Sequence, residues 1–177
     1  MKRVDIILVA LLTLPIVANT QALTSTRNAS PTQFGITSFP YDTTLEAIEN
    51  VRRIVTDNST LAAIHLDNGI PWREILDGAP LPPSIRGDWA ERVAAIPHGR
   101  PVHVGLAPLD TDRKSLAPAL GEKGRIPLPD ELTATDLDDP KVISAYSRYV
   151  RLAIATFHPT YLNIGIEAGE IMSRDIL

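Results

Sequence analysis

The sequence predicts an α/β protein whose parallel β/α units form the first half of a TIM-type barrel. Short aliphatic segments alternate with helical patterns along the chain, which is typical of parallel sheets joined by crossover helices. Each of the later segments has aliphatic side chains on one face and small or polar side chains on the other. There are four segments in all, half the number of strands in a complete barrel. The composition, 44% hydrophobic and 21% charged in 177 residues, is that of a globular domain.

Four strands are predicted, at residues 34–39, 61–67, 101–109 and 161–167. The helix after the first strand is predicted to begin with a capping box formed by Thr43 and Glu46. Its apolar residues are spaced three apart, at Leu45, Ile48, Val51 and Ile54.

The last helix is predicted to begin at the acidic pair Asp138 and Asp139, followed by Pro140 at the first helical position. Shorter helices are expected at residues 71–76 and 88–96, separated by a proline-rich loop at 79–83. Residues 111–137 form a long connection rich in Pro, Gly, Asp and Lys, which indicates a functional or a disordered loop.

The side-chain alternation favours a barrel over an open sheet. In the fourth strand Leu162, Ile164 and Ile166 share one face, while Asn163, Gly165 and Glu167 share the other. An open doubly wound sheet has helices on both faces and two aliphatic faces. In a barrel the small and polar residues face the lumen. Other α/β arrangements, and an antiparallel sheet with one wet face, remain as alternatives.

A complete barrel takes about 250 residues, so we expect this chain to be truncated after four strands. Half a barrel exposes two strand edges and part of its core. The chain is therefore expected to self-associate through these edges.

The first 22 residues resemble a secretory signal peptide, with Lys2 and Arg3 before an apolar run from Ile6 to Ala18. A membrane anchor is the alternative, but a span needs about 20 apolar residues. The sequence thus predicts a signal peptide at 1–22, a flexible leader at 23–33 and a barrel domain at 34–177. The mature protein is expected to be secreted or periplasmic, without a membrane anchor.

Several classes of function lack support in the sequence. The formal charge is −4 and the basic residues are scattered, which argues against a nucleic-acid partner. Cysteine is absent, so disulfides, thiolate metal sites and cysteine nucleophiles are excluded. No phosphate loop, dinucleotide fingerprint or nucleophile elbow is present. We therefore predict no cofactor and no resident metal.

Polar residues follow each predicted strand, where parallel barrels place their active sites. Glu167 is the strongest catalytic candidate, because a carboxyl on the lumen face would be partly buried, which raises its pKa toward that of a general acid. Glu170 is the substitute if the strand ends later. The other residues at this rim are Tyr41, Asp42, Asp67, Asn68 and Asp110.

The stretch from Tyr161 to Glu167 resembles the fourth strand of the clan A glycoside hydrolases, secreted (β/α)8-barrel enzymes in which this strand ends in Gly-Asn-Glu. Residues 34–41, 65–72 and 106–110 are similar to bacterial relatives of the galactanase-type barrels. The resemblance covers residues 34–172. Ile166 stands where the clan has asparagine.

The resemblance implies retaining hydrolysis of a β-glycosidic bond, with Glu167 as general acid/base and an oligo- or polysaccharide as substrate. The clan's nucleophile belongs to the seventh strand, so this chain is expected to be inactive alone. A sugar would contact Tyr41, Asp67, Asn68, Trp72, Asp110, Asn163 and Glu170, with Trp72 as a stacking platform; packing in the core is the alternative for Trp72.

Two other functions remain open. A metal-dependent barrel hydrolase would use His65, Asp67, His103 and Glu167 as ligands. A non-catalytic secreted carbohydrate-binding or interaction protein would bind sugar without turnover, and the isoleucine at position 166 favours this reading.

Overall fold

The computed structural model describes residues 32–169. The chain divides into two units, Met1–Pro31 and Thr32–Leu177, and the first of these lies outside the described residues. So do the predicted signal peptide, most of the predicted leader, and Glu170. Within the described part, none of the helices is long and apolar enough to cross a membrane.

The described residues form a parallel four-stranded sheet, a small antiparallel hairpin and four α-helices. The elements in chain order are β1 (Gly35–Thr37), α1 (Leu45–Asn58), β2 (Leu61–Leu66), α2 (Trp72–Asp77), α3 (Pro83–Ala94), β3 (Val102–Leu106), β4 (Ala119–Gly121), β5 (Gly124–Ile126), α4 (Pro140–Phe157) and β6 (Tyr161–Asn163). A short 3₁₀ helix, Asp130–Leu132, precedes α4. The predicted α/β architecture with parallel strands is confirmed.

The strand order in the large sheet is β1-β2-β3-β6, and every neighbouring pair is parallel. The strands therefore lie side by side in the order in which the chain makes them. A doubly wound sheet instead reverses direction at a switch point and carries helices on both faces. Here each crossover continues in the same sense, which leaves the helices on one side.

The helix ends follow the local sequence closely. Thr44, one residue after the predicted cap Thr43, is the N-cap of α1, and its side chain accepts a hydrogen bond from the Ala47 amide at 3.2 Å. Asp139 caps α4 by accepting from the Lys141 amide at 2.7 Å, with Pro140 at the first position as predicted. The helix α3 begins at Pro83, five residues earlier than expected, because proline fits the first turn.

One face of the sheet packs against the helices and the other is uncovered. Ile64, Leu66, Val104 and Leu106 are buried in the core beneath helical side chains that include Trp89. On the opposite face His65 and His103 are only partly buried, and their strand neighbours are small. The alternation predicted for the second strand is confirmed by this difference in burial, whereas in the third strand only His103 is less buried, and Gly105 and Ala107 are buried like the aliphatic residues.

The fourth strand is shorter than predicted, and its alternation ends at Asn163. A turn follows, and Ile166 folds back over the uncovered face: a Cβ built on Gly105 would lie 2.9 Å from the Ile166 Cδ1 atom. The prediction that Ile166 faces the helices and Glu167 continues the strand is therefore wrong. The Ile166 amide instead donates to the Leu106 carbonyl at 2.9 Å, which fixes the turn against β3.

The long connection at 111–137 is folded, with β4 and β5 forming a hairpin beside the end of β2. The Ile70 amide donates to Pro118, and the Leu120 amide donates to Ile70. Gly69 makes this close approach possible, because its φ is +129° and a Cβ there would lie 2.7 Å from the Pro118 carbonyl oxygen. The hairpin is thus held over the end of β2 by backbone hydrogen bonds.

The large exposed apolar side chains are concentrated at the two edges of this arrangement. Leu45 and Ile54 are exposed on α1, beside the first strand, and Ile143 and Ile154 are exposed on α4, beside the last. The edge strands and adjoining turns add Phe34, Phe39, Tyr161 and Ile164. Apolar exposure on terminal helices and edge strands indicates surfaces suited to further packing.

Candidate functional site

The carboxyl ends of the parallel strands bring three of the predicted site residues into one connected group. Asn68 follows β2, Asp110 follows β3 and Glu167 follows β6. Two arginines from the long connection, Arg125 and Arg113, join them. We call this group the rim network: Asn68, Asp110, Arg113, Arg125 and Glu167.

Arg125 links the ends of β2 and β3. Its Nε atom donates to the Asn68 carbonyl oxygen at 3.1 Å, and its Nη1 atom lies 3.4 Å from Asp110 Oδ1. The same Asp110 oxygen accepts from the Thr111 amide at 2.7 Å. Asp110 is therefore held between its own loop and the hairpin.

Arg113 links the ends of β3 and β6. Its Nη1 atom donates to the Asp110 carbonyl oxygen at 2.9 Å, and its Nη2 atom is ion-paired with the Glu167 carboxylate. The side chains of Arg113 and Glu167 remain 27% and 44% exposed. Glu167 is thus accessible from solvent, but it is not the uncompensated carboxyl that the sequence led us to expect.

Both partners of this ion pair have a left-handed backbone. The φ angles are 56° at Arg113 and 57° at Glu167, in a region that side chains with a Cβ rarely adopt. Such conformations persist only where the surroundings fix them, and they cluster at functional sites. His158, at the end of α4, is the other non-glycine residue with positive φ in the described part, and it lies at an ordinary helix C-terminus.

Asp112 organises the loop that presents Arg113. Its carboxylate accepts hydrogen bonds from the Lys114 and Ser115 amides at 2.8 Å and 3.0 Å and from the Ser115 hydroxyl at 2.7 Å. The backbone hydrogen bonds from Lys114 and Ser115, followed by that from the Ser115 hydroxyl, lower the pKa of Asp112 to about 2. The loop therefore depends on an ionised carboxylate directly beside Arg113.

The turn that carries Glu167 is held from the helix side by Tyr146. Its hydroxyl donates to the Ile164 carbonyl oxygen at 2.7 Å, and the Asn163 side chain accepts from the Gly165 amide at 3.0 Å. Burial raises the pKa of Tyr146 well above its usual value, so the hydroxyl remains a donor at neutral pH. Asn163, proposed from the sequence to contact sugar, also has this local role.

Two histidines lie side by side on the uncovered face. The ring centroids of His65 and His103 are 6.3 Å apart, and Phe39 lies edge-on to His65 at 6.2 Å. Burial, and then the charge of His65, lower the pKa of His103. The ring nitrogens of both imidazoles can form hydrogen bonds, so the pair offers a polar strip on this face.

The remaining predicted residues are placed differently. Trp72 is wholly buried, and its indole N–H donates to the Ala117 carbonyl oxygen at 2.7 Å, so it presents no ring face to a sugar. Tyr41 is 70% exposed beyond β1, and Asp42 accepts from the Thr43 amide at 2.6 Å. Asp67 is half-buried beside the rim network, and Glu170 lies outside the described residues.

Sequence reasoning missed both arginines, since they come from the long connection and no spacing pattern places that connection over the strand ends. Among residues 32–169, no group of three or more histidine or carboxylate side chains is close enough to hold a metal ion. The four residues that the metal-dependent hypothesis requires are therefore not gathered as a ligand set.

Comparisons with protein-family models, with curated proteins and with solved structures give no significant match to this chain.

Proposed function

We propose that this chain is the N-terminal, substrate-binding half of an exported glycoside hydrolase-like (β/α)8 barrel. The observation that carries the proposal is the sheet: its four parallel strands follow chain order, helices cover one face, and the strand ends lead to a network containing Glu167. A closed barrel requires this arrangement, and its active site lies at this rim.

In this proposal Glu167 is the general acid/base for cleavage of a β-glycosidic bond. It protonates the leaving oxygen and then activates water, while a second carboxylate about 5 Å away attacks the sugar. That second carboxylate belongs to strands beyond these four. Arg113 must first release Glu167, because the ion pair occupies a carboxylate oxygen that has to reach the glycosidic oxygen.

Sugar contacts are assigned to polar groups that the rim exposes. Arg125 holds the backbone of Asn68 and the carboxylate of Asp110, and the side chains of these residues remain at least partly accessible. Tyr41 supplies an exposed aromatic ring beyond β1. Trp72 has no part in this proposal, because it is buried in the core.

Export and self-association belong to the same proposal. The basic and apolar N-terminal sequence supports a secreted or periplasmic location. The apolar residues exposed at both edges support association of copies through their edge strands. Sedimentation of the exported chain at increasing concentration tests the second point, since a monomer at every concentration would contradict it.

The experiment that tests the proposal uses β-linked galacto- and gluco-oligosaccharides and their epoxypropyl glycosides. We expect the chain to bind the oligosaccharides, and we expect an epoxide to esterify Glu167: a carboxylate oxygen attacks the terminal epoxide carbon, the epoxide C–O bond breaks and the alkoxide takes a proton. Peptide mass spectrometry locates the ester. Excess free oligosaccharide should protect Glu167.

Glu131 is the matched control carboxylate, because it is 48% exposed and paired with Lys141 at 2.9 Å, away from the strand ends. Equal labelling of Glu131 and Glu167, or labelling that oligosaccharide does not reduce, would contradict a role for Glu167. Absence of oligosaccharide binding would contradict the carbohydrate assignment as a whole.

The second candidate is a non-catalytic carbohydrate-binding protein. The Arg113–Glu167 ion pair favours it, since the proposed acid is already occupied by a cation. Binding of oligosaccharide with no esterification of Glu167, in the wild type and in Arg113→Ala, would select this candidate.

A further inference from the structure

A cavity of about 490 Å³ is formed by α2 and the segment that follows the β4–β5 hairpin. Arg73 lines it from α2, and residues 126–131 supply the rest of its wall. None of these residues belongs to the rim network, and the proposed function gives them no part in sugar binding. The volume lies within the roughly 300–1,000 Å³ typical of small-molecule sites, so the cavity can hold a compact ligand.

The apolar part of this wall has little conformational freedom. Ile126, Pro127, Leu128 and Pro129 follow one another along the chain, and Pro129 has φ of −54° and ψ of 142°. A proline ring fixes its own φ and restricts the preceding residue to extended conformations. Leu128 also packs against the hydrophobic core. Because the wall is already ordered, a ligand that binds to it causes little further loss of backbone entropy.

Two side chains of opposite charge line the cavity without a protein partner. The Arg73 guanidinium and the Asp130 carboxylate are exposed, and within residues 32–169 neither takes part in a hydrogen bond or an ion pair. The adjacent Glu131 differs, because its Oε2 atom is paired with Lys141 Nζ at 2.9 Å. The cavity therefore presents one cation and one anion to a ligand, and their charges balance.

This charge pattern selects a ligand that carries both signs. An anion is repelled by Asp130 and an amine is repelled by Arg73, whereas a zwitterion is attracted by both side chains. A guanidinium binds a carboxylate through two parallel hydrogen bonds, and a carboxylate accepts from an ammonium group. We propose that this cavity binds a short apolar peptide with free termini. Arg73 holds its carboxylate, Asp130 holds its ammonium group, and its side chains pack against Ile126 and Leu128.

Methyl resonances give a direct test on the full chain. We expect the dipeptide leucyl-leucine to shift the methyl resonances of Ile126 and Leu128 in proton–carbon spectra. Ile143 on α4 is the matched control, because it is 52% exposed, compared with 38% for Ile126, and does not line the cavity. Its methyl resonances should stay unchanged. If Ile126 and Leu128 do not shift, or if Ile143 shifts as much as they do, the proposal is overturned.

Capped dipeptides test the two charged contacts separately. The N-acetylated dipeptide lacks the ammonium group, and the dipeptide amide lacks the carboxylate. Because both protein side chains are exposed, each cap should weaken binding by about twofold to fivefold. A dipeptide that carries both caps should bind more weakly than either singly capped form. Equal affinity for the free and the doubly capped dipeptide would overturn the proposal.

Matched variants assign each terminus to its side chain. Arg73→Gln should abolish the preference for the free carboxylate over the amide, and Asp130→Asn should abolish the preference for the free amine over the acetylated form. Arg52→Gln is the control, because Arg52 is an exposed arginine on α1 that has no partner within the described part. It should keep both preferences. If Arg73→Gln and Asp130→Asn keep them as well, the assignment is contradicted.

Discussion

Arg113 and Glu167 form an ion pair in which both residues have left-handed backbone conformations, with φ of 56° and 57°. Neither residue is glycine, so the backbone conformation of each residue is sterically unfavourable for its side chain. The free energy contributed by a surface ion pair is too small to offset the steric cost of two such backbone conformations. Hydrogen bonds of Asp112 and Tyr146 hold the two turns that carry these residues.

The first prediction concerns the strength of this ion pair. Because both side chains are partly exposed, we expect a coupling free energy of about 0.2–1 kcal/mol between Arg113→Ala and Glu167→Gln. Urea unfolding of the wild type, both single variants and the double variant measures it. A coupling above about 2 kcal/mol would mean that the pair is structural.

The second prediction concerns backbone strain at Arg113. Arg113→Gly and Arg113→Ala both remove the guanidinium, but only glycine tolerates φ of 56° without a steric penalty. The glycine variant should therefore be more stable than the alanine variant by about 1 kcal/mol. Thermal and urea unfolding compare the two directly, and equal stability would show that the left-handed turn relaxes in the alanine variant.

The third prediction compares two neighbouring tyrosines. Tyr146→Phe removes the hydrogen bond to Ile164 and should lower the free energy of unfolding by about 1 kcal/mol. Tyr149→Phe removes a hydroxyl that makes no hydrogen bond within the described part, so stability should remain about the same. Hydrogen exchange of residues 164–167 should increase in Tyr146→Phe alone. Equal destabilisation by both changes would contradict this assignment of the hydrogen bonds.

The fourth prediction is a pH dependence of the Arg113 loop. Hydrogen bonds to the ionised carboxylate lower the pKa of Asp112 to about 2, so their stabilising effect is complete above its ordinary value and is lost as the pH falls through about 2. The Lys114 and Ser115 amide resonances should shift in that window. Asp112→Asn, which keeps an acceptor but does not titrate, should remove this step.

The fifth prediction concerns the support of the hairpin. Gly69→Ala places a Cβ 2.7 Å from the Pro118 carbonyl oxygen at a φ of +129°, and we expect a loss of about 1–3 kcal/mol. Gly78→Ala is the control, since its φ is also positive at +65° but no heavy atom lies within 4 Å of the added Cβ. If both variants lose the same free energy of unfolding, the close contact between the added Cβ and the Pro118 carbonyl oxygen does not destabilise the protein.

Much of the framework could be predicted because it depends on local chemistry. The spacing of apolar residues identified α1 and α4, and Asp139 with Pro140 marked the start of α4 because a side-chain acceptor and a fixed φ act within one turn. The alternation in β2 predicted which face of that strand is buried, since successive strand residues point to opposite sides.

The sequence by itself therefore determined the order of the four parallel strands and of the helices between them, and the face on which β2 is buried. Only the tertiary structure decided that Ile166 folds over Gly105, that Trp72 is in the core and that two arginines from the long connection hold Asp110 and Glu167. These features depend on contacts between residues far apart in the chain. Periodicity and capping act over a few residues, so they contain no information about such contacts.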